Sequence, residues 1–222
     1  MNHTYIPTQN LEDWQVGLSD SDKHWKDDFS AKLTAQSWHK ADGFPIPIQS
    51  VFSAAGEPFT SLKPLIVLPE HKVALPPQGA RPSQNDVWVL ASHRFGLASI
   101  AVEGKKDESF GPTLGEWKSE SGGKTERLRF LTQLLHLEEN IGDEIRYQFL
   151  HRAASALLEA QRFHANMALC LIQSFGTTPS SWDDYGNFAR LFGHNPQRNE
   201  IVLLNDFDSI PLYLAWIDSA TT

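Results

Sequence analysis

Cysteine and long apolar runs are the two features that this sequence most clearly lacks. Cys170 is the single cysteine in 222 residues, so the chain can form neither an internal disulfide nor a cysteine-rich zinc site. No stretch of about 18 apolar residues occurs, and residues 1–10 contain neither a basic nor an apolar segment. The sequence therefore predicts a cytoplasmic protein in a reducing compartment, with no membrane span and no secretion signal.

Basic residues are also scarce. The chain has 19 Lys and Arg residues against 27 Asp and Glu residues, a formal net charge of −8. This balance argues against a broad basic surface for nucleic acid, but it remains compatible with a local basic groove. Glycine-rich phosphate loops, a Gly-x-Ser-x-Gly elbow, long internal repeats and paired histidine ligand spacings are missing too, which argues against the protein classes that they mark.

The pattern of apolar residues and breakers predicts a mixed α/β fold, with a mixed central sheet flanked by helices. We expect a single domain over residues 1–222, with a polar N-terminal segment 1–20, a core at about 22–175 and C-terminal elements at 181–218. The predicted helices are Asp22–Asp42, Thr125–Leu137, Asp143–His164 and Trp182–Phe192. The predicted strands are Pro64–Leu68, Asp86–Ala91, Leu97–Lys105, Met167–Phe175, Glu200–Leu204 and Leu212–Ile217, with a loop over 106–123.

The clearest local unit is the hairpin of Asp86–Ala91 and Leu97–Lys105. Opposed residues of an antiparallel pair have a constant sum of residue numbers, and a turn centred between Arg94 and Phe95 places Asp86 opposite Glu103. Directly opposed Cβ atoms lie about 4.5 to 5.5 Å apart, so both carboxylates can reach one divalent cation. Lys105 projects from the same face two residues later.

Two opposed carboxylates in apolar surroundings need a positive charge. A Mg²⁺ ion that is held by one or two carboxylates, several waters and a substrate phosphate would supply this charge. Alternatively, Lys105 or Arg94 forms a salt bridge with the pair and the arrangement has no catalytic role.

Asp86, followed after sixteen residues by Glu103-Gly104-Lys105, resembles the signature of the restriction-endonuclease-like phosphodiesterases, the PD-(D/E)XK superfamily. The predicted element order resembles its core of helix, three strands, helix and strand. The resemblance implies Mg²⁺ or Mn²⁺ held by Asp86, Glu103 and the Gly104 carbonyl, with Lys105 orienting or activating the attacking water. Glu70 also ends an apolar strand and is an additional ligand if that strand neighbours Asp86.

Gln148 and Arg152 lie four residues apart on the long helix and point the same way. They are similar to the Gln and Tyr or Arg that line the site in the RecB-type branch of the superfamily. The alternative is that His151 and Arg152 make ordinary helix-surface pairs with Glu159 and Ser155. Trp117, in the loop after the third strand, is a further candidate for contact with a ligand.

A wider similarity extends over most of the chain and is to an uncharacterised family of stand-alone bacterial proteins. It implies a cytoplasmic protein of bacteria and no particular activity. The residues that carry it are Lys23–Trp25, Phe29–Ala31, Ser83–Asp86, Ala101–Lys105, Phe110–Pro112, Gly115–Trp117 and Arg146–Arg152.

Two functions follow from these residues. The first is a Mg²⁺-dependent nuclease that hydrolyses phosphodiesters of nucleic acid, with Asp86, Glu103, Lys105, Gln148 and Arg152 in its site. The alternative is a catalytically inactive restriction-endonuclease-like fold that binds a protein partner, a small ligand or a second copy of the chain. A carboxylate separation beyond about 8 Å between Asp86 and Glu103 would exclude a shared metal ion.

Overall fold

The fold is described from a computed structural model, which covers residues 8–18, 24–118, 122–176 and 178–220. Six strands are present in this part of the chain: β1 Lys63–Val73, β2 Ser83–His93, β3 Gly96–Lys106, β4 Met167–Gly176, β5 Ile201–Phe207 and β6 Ile210–Asp218. The α-helices are α1 Ser30–His39, α2 Ile46–Ala55, α3 Leu114–Trp117, α4 Gly122–Leu134, α5 Tyr147–Arg162 and α6 Pro179–Arg190. Two short 3₁₀ helices span Leu11–Gly17 and Phe59–Ser61.

The strands form one mixed sheet in the order β1-β2-β3-β4-β6-β5. β1, β2 and β3 are antiparallel neighbours, β3, β4 and β6 run parallel, and β5 pairs antiparallel with β6. The parallel step from β3 to β4 needs a crossover, and α5 belongs to it. The predicted mixed α/β class with a mixed central sheet is therefore confirmed.

Helices cover both faces of the sheet because its central strands are apolar on both sides. Along β4, Leu169 and Leu171 pack into a core with α1 and α2, whereas Cys170 and Ile172 pack into a core with α5 and α6. This two-sided burial explains why β4 is almost continuously apolar in sequence. In the described residues, no helix is both long and apolar enough to cross a membrane.

The hairpin prediction is confirmed, including its register. Val87 pairs with Val102 and Trp88 with Ala101, so opposed residue numbers sum to 189 as predicted. Both strands extend beyond the predicted bounds, and β1 likewise continues through Pro69 to Val73. Pro69 is tolerated because β1 is an edge strand.

Several helix bounds were predicted wrongly. Of the predicted helix Asp22–Asp42, residues 22 and 23 lie outside the described part of the chain; residues 25–29 are not helical, Asp28 has φ 63°, and α1 spans Ser30–His39. α5 begins at Tyr147 rather than Asp143, because Arg146 is extended and bridges to Thr113. α2 is absent from the sequence prediction because Pro45 and Pro47 indicate a break, although proline also fits the first turn of a helix.

Shorter elements differ as well. The predicted loop 106–123 contains α3, whose first turn has a capping box between Thr113 and Glu116. α4 spans Gly122–Leu134 rather than Thr125–Leu137, and α6 begins at Pro179, three residues before the predicted Trp182. β5 and β6 are each longer than predicted and form a hairpin.

A buried amide ties the sheet to α1 and provides a test of the fold. Gln173 on β4 accepts a hydrogen bond from Trp38 Nε1 at 2.9 Å and donates to Ser37 and Ser219. Gln173→Ala leaves the buried Trp38 N–H unpaired and opens a cavity, so we expect a loss of about 2–4 kcal/mol in urea unfolding. Gln133→Ala, on the exposed side of α4, should change stability by less than about 0.5 kcal/mol. Similar losses in the two variants would contradict the role of this amide.

Candidate functional site

Three carboxylates form a row across β1, β2 and β3. The pairs Pro69–Val87 and His71–Asn85 leave Glu70 opposite Asp86. The register of β2 and β3, extended by one residue from the Val87–Val102 pair, leaves Asp86 opposite Glu103. All three residues line one cavity of about 890 Å³. Glu70 is expected near the site only if its strand neighbours Asp86, and β1 does pair with β2.

Glu70 adopts a backbone conformation that is unusual for a strand. Its φ is 53°, in the left-handed region, which costs a non-glycine residue about 1–3 kcal/mol. Gln84 Nε2 donates to its Oε2 at 2.6 Å and also to the Gly17 carbonyl, so the N-terminal 3₁₀ helix is tied to this place. A Cβ on Gly17 would overlap the Glu70 side chain, which explains the glycine there.

Glu103 is almost fully engaged by side chains. Arg152 Nε donates to its Oε2, while Lys105 Nζ at 3.1 Å and Gln148 Nε2 at 2.6 Å contact its Oε1. The predicted common direction of Gln148 and Arg152 is thus observed. A carboxylate has about four lone-pair positions, so Glu103 keeps one, on Oε2.

The predicted helix-surface pairs are wrong. Arg152 contacts Glu103 and, at 3.0 Å, Ser83 Oγ, rather than Glu159 or Ser155. Glu159 pairs with His71 and Arg162 on another part of the sheet. Of the two cations considered as alternative partners for the carboxylates, Lys105 contacts Glu103, whereas the Arg94 guanidinium lies over the Phe95 ring.

The pKa values of the three carboxyl groups are shifted in different directions. Burial opposes ionisation of Glu103, but Arg152 and Lys105 hold its pKa below the usual value. Burial, together with the charges of Glu103 and Glu70, raises the pKa of Asp86 well above its usual value. Burial also raises the pKa of Glu70 to about 7, with a further contribution from Glu103. Among the described residues, neither Glu70 nor Asp86 has an ion-pair partner.

The remaining predicted residues take different places. Gln148, Arg152 and Lys105 line the cavity with the three acids. Gly104 donates its N–H to Asp86 Oδ2 at 2.7 Å. That the Gly104 carbonyl binds a metal ion stays a prediction. In the ranges that the structure describes, no group of three or more His, Cys, Asp or Glu side chains is placed to hold a metal ion.

The other wall of the cavity was not predicted from the sequence, apart from Trp117. Trp117 and Tyr147 stack there with ring centroids 4.0 Å apart, and Lys124 Nζ lies 5.3 Å from the Trp117 ring centroid. Ser83 Oγ and His151 Nδ1 are 2.8 Å apart beside Arg152. Ser83 and Gln84 could have been predicted as site residues, because they precede Asp86 on the same strand, β2. No local sequence pattern indicates Lys124.

The chain belongs to a family described as a domain of unknown function, DUF6946, whose model matches residues 7–221. No curated protein and no solved structure matches the chain. The family thus covers the sheet, both helical layers and the whole cavity.

The glycine between Glu103 and Lys105 gives a prediction about packing beside the row. A Cβ on Gly104 would overlap Thr34 Oγ1 and lie 3.4 Å from Asp86 Oδ2. Because Thr34 is buried on α1, Gly104→Ala should cost about 1–3 kcal/mol in urea unfolding. Thr34→Ala removes the overlapping hydroxyl, so the double variant should lose less than the sum of the single changes. Strictly additive losses would contradict this contact.

Glu70 gives a prediction about pH in the absence of divalent cations. Its raised pKa means that the folded protein binds a proton there which the unfolded chain releases near pH 4.5. The contribution of Glu70 to stability is therefore fully present below about pH 4.5 and is lost as the pH rises through about 7. Glu70→Gln cannot ionise, so its Tm relative to wild type should increase by about 5 °C between about pH 5 and pH 8.

The control for this change is Glu126→Gln, which alters an exposed carboxylate on α4. Its Tm difference from wild type should be the same at both pH values. If the Glu70→Gln difference is equally independent of pH, Glu70 is not held in the protonated form by this environment.

Proposed function

We propose that the protein is a Mg²⁺- or Mn²⁺-dependent phosphodiesterase of restriction-endonuclease-like fold that hydrolyses nucleic acid. The observation that carries the proposal is the pair of opposed carboxylates, Glu70 and Asp86, which lack cationic partners within the described residues and share a cavity with Lys105. Two ionised carboxylates so placed are costly unless a cation neutralises them, and without a cation the cost is lowered by proton binding, in line with the raised pKa values of both groups.

The donor set suits a hard divalent cation. Mg²⁺ is commonly held by one or two protein carboxylates, with waters and substrate phosphates completing its octahedron. Glu70 and Asp86 would hold it, and the free lone pair of Glu103 Oε2 would be available to it or to a bound water. Three carboxylates need not all be ligands, so the lack of a three-residue metal group within the described part of the chain is compatible with this proposal. When bound, the cation would lower the pKa of a coordinated water and neutralise charge on the phosphate.

The protein side chains have separate roles in this proposal. Lys105 Nζ lies beside Glu103 and 3.5 Å from the Ser109 carbonyl, so its ammonium is directed within the cavity and can orient the attacking water. Gln148 and Arg152 hold the Glu103 carboxylate in place. Gly104 N–H orients Asp86 by donating to its Oδ2.

The fold offers independent support. With α2, α3 and α4 as insertions, the order α1, β1, β2, β3, α5 and β4 agrees with the helix, three strands, helix and strand of the restriction-endonuclease-like core. Asp86 lies in the first part of β2, and Glu103 and Lys105 lie near the end of β3, where the resemblance requires them.

One observation favours the second function, a catalytically inactive member that binds a ligand. Glu103 is already neutralised by Lys105 and Arg152 and is bound by Gln148. A site in which Glu103 is already paired with two cations could keep the fold and the cavity without hydrolysing a phosphodiester.

The proposal is tested by cleavage of single- and double-stranded DNA and RNA with Mg²⁺ or Mn²⁺. Asp86→Asn retains an oxygen that can accept the Gly104 N–H, yet it removes the charge that a cation needs, so we expect activity to fall by about 100-fold or more. Glu103→Ala should also abolish activity, but it leaves Arg152 and Lys105 buried without their partner and therefore requires a check of folding. Asp206→Asn, an exposed change at the far edge of the sheet, is the matched control.

Metal binding is measured separately from cleavage. Mg²⁺ or Mn²⁺ should raise the Tm of the wild type and of Asp206→Asn, and should do so much less for Asp86→Asn. Equal activity of Asp86→Asn and wild type would contradict the nuclease. A metal response without cleavage of any of the four substrates would favour the ligand-binding alternative.

A further inference from the structure

The other wall of the cavity contains a buried cation, Arg127, with which no carboxylate of the described residues forms an ion pair. Arg127 on α4 is 8% exposed and donates to the carbonyls of Pro76, Arg81 and Leu75 at 2.7, 2.7 and 3.1 Å. Its remaining contact is the Tyr147 hydroxyl at 3.4 Å. In the described residues, no carboxylate forms an ion pair with Arg127, so its charge acts on the cavity uncompensated.

Two further cations lie on the same wall. Arg81 is exposed, and its guanidinium has no hydrogen-bond or ion-pair partner among the described residues. Lys124 Nζ donates to the Trp117 carbonyl at 2.6 Å, and among the described residues its two other N–H groups have no acceptor. We call Arg81, Lys124 and Arg127 the basic wall.

The effect of these charges is visible at His151, which lines the cavity beside the basic wall. Burial lowers its pKa well below the usual value, and Arg152, Arg127, Lys105 and Arg81 lower it further. Glu108, the one other acid of the cavity, forms no ion pair with the basic wall within the described residues. This part of the cavity is therefore positive, although the chain as a whole carries −8.

The helix α5 fixes the basic wall relative to the carboxylate row. Gln148 and Arg152, four residues apart, reach Glu103, while Tyr147 and His151 form the neighbouring row on the helix surface. Tyr147 contacts Arg127, so the same turns of α5 contact both sides of the cavity. A ligand that lies along these turns can reach both sides.

We propose that the basic wall is a phosphate-binding subsite that holds a second phosphate of the substrate, next to the one at the carboxylate row. Arg81 would make the direct contact, because a guanidinium binds phosphate oxygens in a bidentate manner. Lys124 would add a second contact, and Arg127, whose N–H groups are mostly engaged, would supply charge and hold the 75–81 segment in place. That the two phosphates belong to one polynucleotide strand rests on the proposed nuclease function, whereas phosphate binding itself does not.

The test is titration calorimetry of the metal-free protein with inorganic phosphate and with a nucleoside 5′-monophosphate, in EDTA. The titration is made at about pH 8, where Glu70 is ionised and disfavours anions at the carboxylate row, and the variants assign the binding to the basic wall. We expect Arg81→Gln and Lys124→Gln each to raise the Kd by about three- to tenfold. Arg129→Gln removes one charge from the exposed side of the same helix and should change the Kd by less than about twofold.

The outcomes separate this subsite from the nuclease function. Equal weakening by Arg81→Gln, Lys124→Gln and Arg129→Gln, or no binding to wild type up to about 10 mM, would overturn the subsite even if the protein cleaves nucleic acid. Selective weakening by Arg81→Gln and Lys124→Gln would support it even if no substrate is cleaved. Where cleavage is observed, Arg81→Gln should raise KM by a similar factor and leave kcat nearly unchanged.

Discussion

The buried ion pair between Glu103 on β3 and Arg152 on α5 is the interaction on which the site depends. Both side chains are less than one-tenth exposed, so removing either one would leave an uncompensated charge inside the protein, at a cost of about 3–5 kcal/mol. Because one partner is on the sheet and the other on the helix, the pair fixes the rotation of α5 against β3. That rotation directs Gln148 to Glu103 and places Tyr147 and His151 on the other side of the cavity.

The same interaction determines which carboxyl groups of the row lack a cationic partner among the described residues. Glu103 takes both Lys105 and Arg152, so Glu70 and Asp86 are left with neutral donors, the Gln84 amide and the Gly104 N–H. Glu70 reaches this position through a left-handed backbone conformation, which a strand would not adopt without tertiary support. Backbone strain and carboxyl groups with raised pKa values thus coincide at one place in the sheet, as they commonly do at functional sites.

Local patterns in the sequence were sufficient for part of this site. The opposition of Asp86 and Glu103 could be predicted because a short turn fixes the register of a hairpin. The position of Glu70 could be stated only conditionally, since it depends on which strand β1 pairs with and on a register shift between Pro64 and Ile66. The partners of Arg152 could not be predicted, because its place in the sequence of α5 is compatible with a side chain on the protein surface and with one in the interior. Arg127 was missed because its partners are main-chain carbonyls about 50 residues away, which leave no pattern in the sequence.

The two sides of the cavity explain how an acidic chain could still act on a polyanion. A net charge of −8 repels nucleic acid at long range, so affinity must come from a confined region in which charges are little screened. The basic wall is such a region, whereas the adjacent carboxylate row repels a phosphate wherever Glu70 and Asp86 are ionised. A divalent cation bound by Glu70 and Asp86 would make the carboxylate side of the cavity positively charged. Both sides of the cavity would then attract neighbouring phosphates. Under the proposed function, metal binding would then be needed to hold a polynucleotide strand across both halves of the cavity as well as for chemistry, whereas a single phosphate would bind the basic wall without metal.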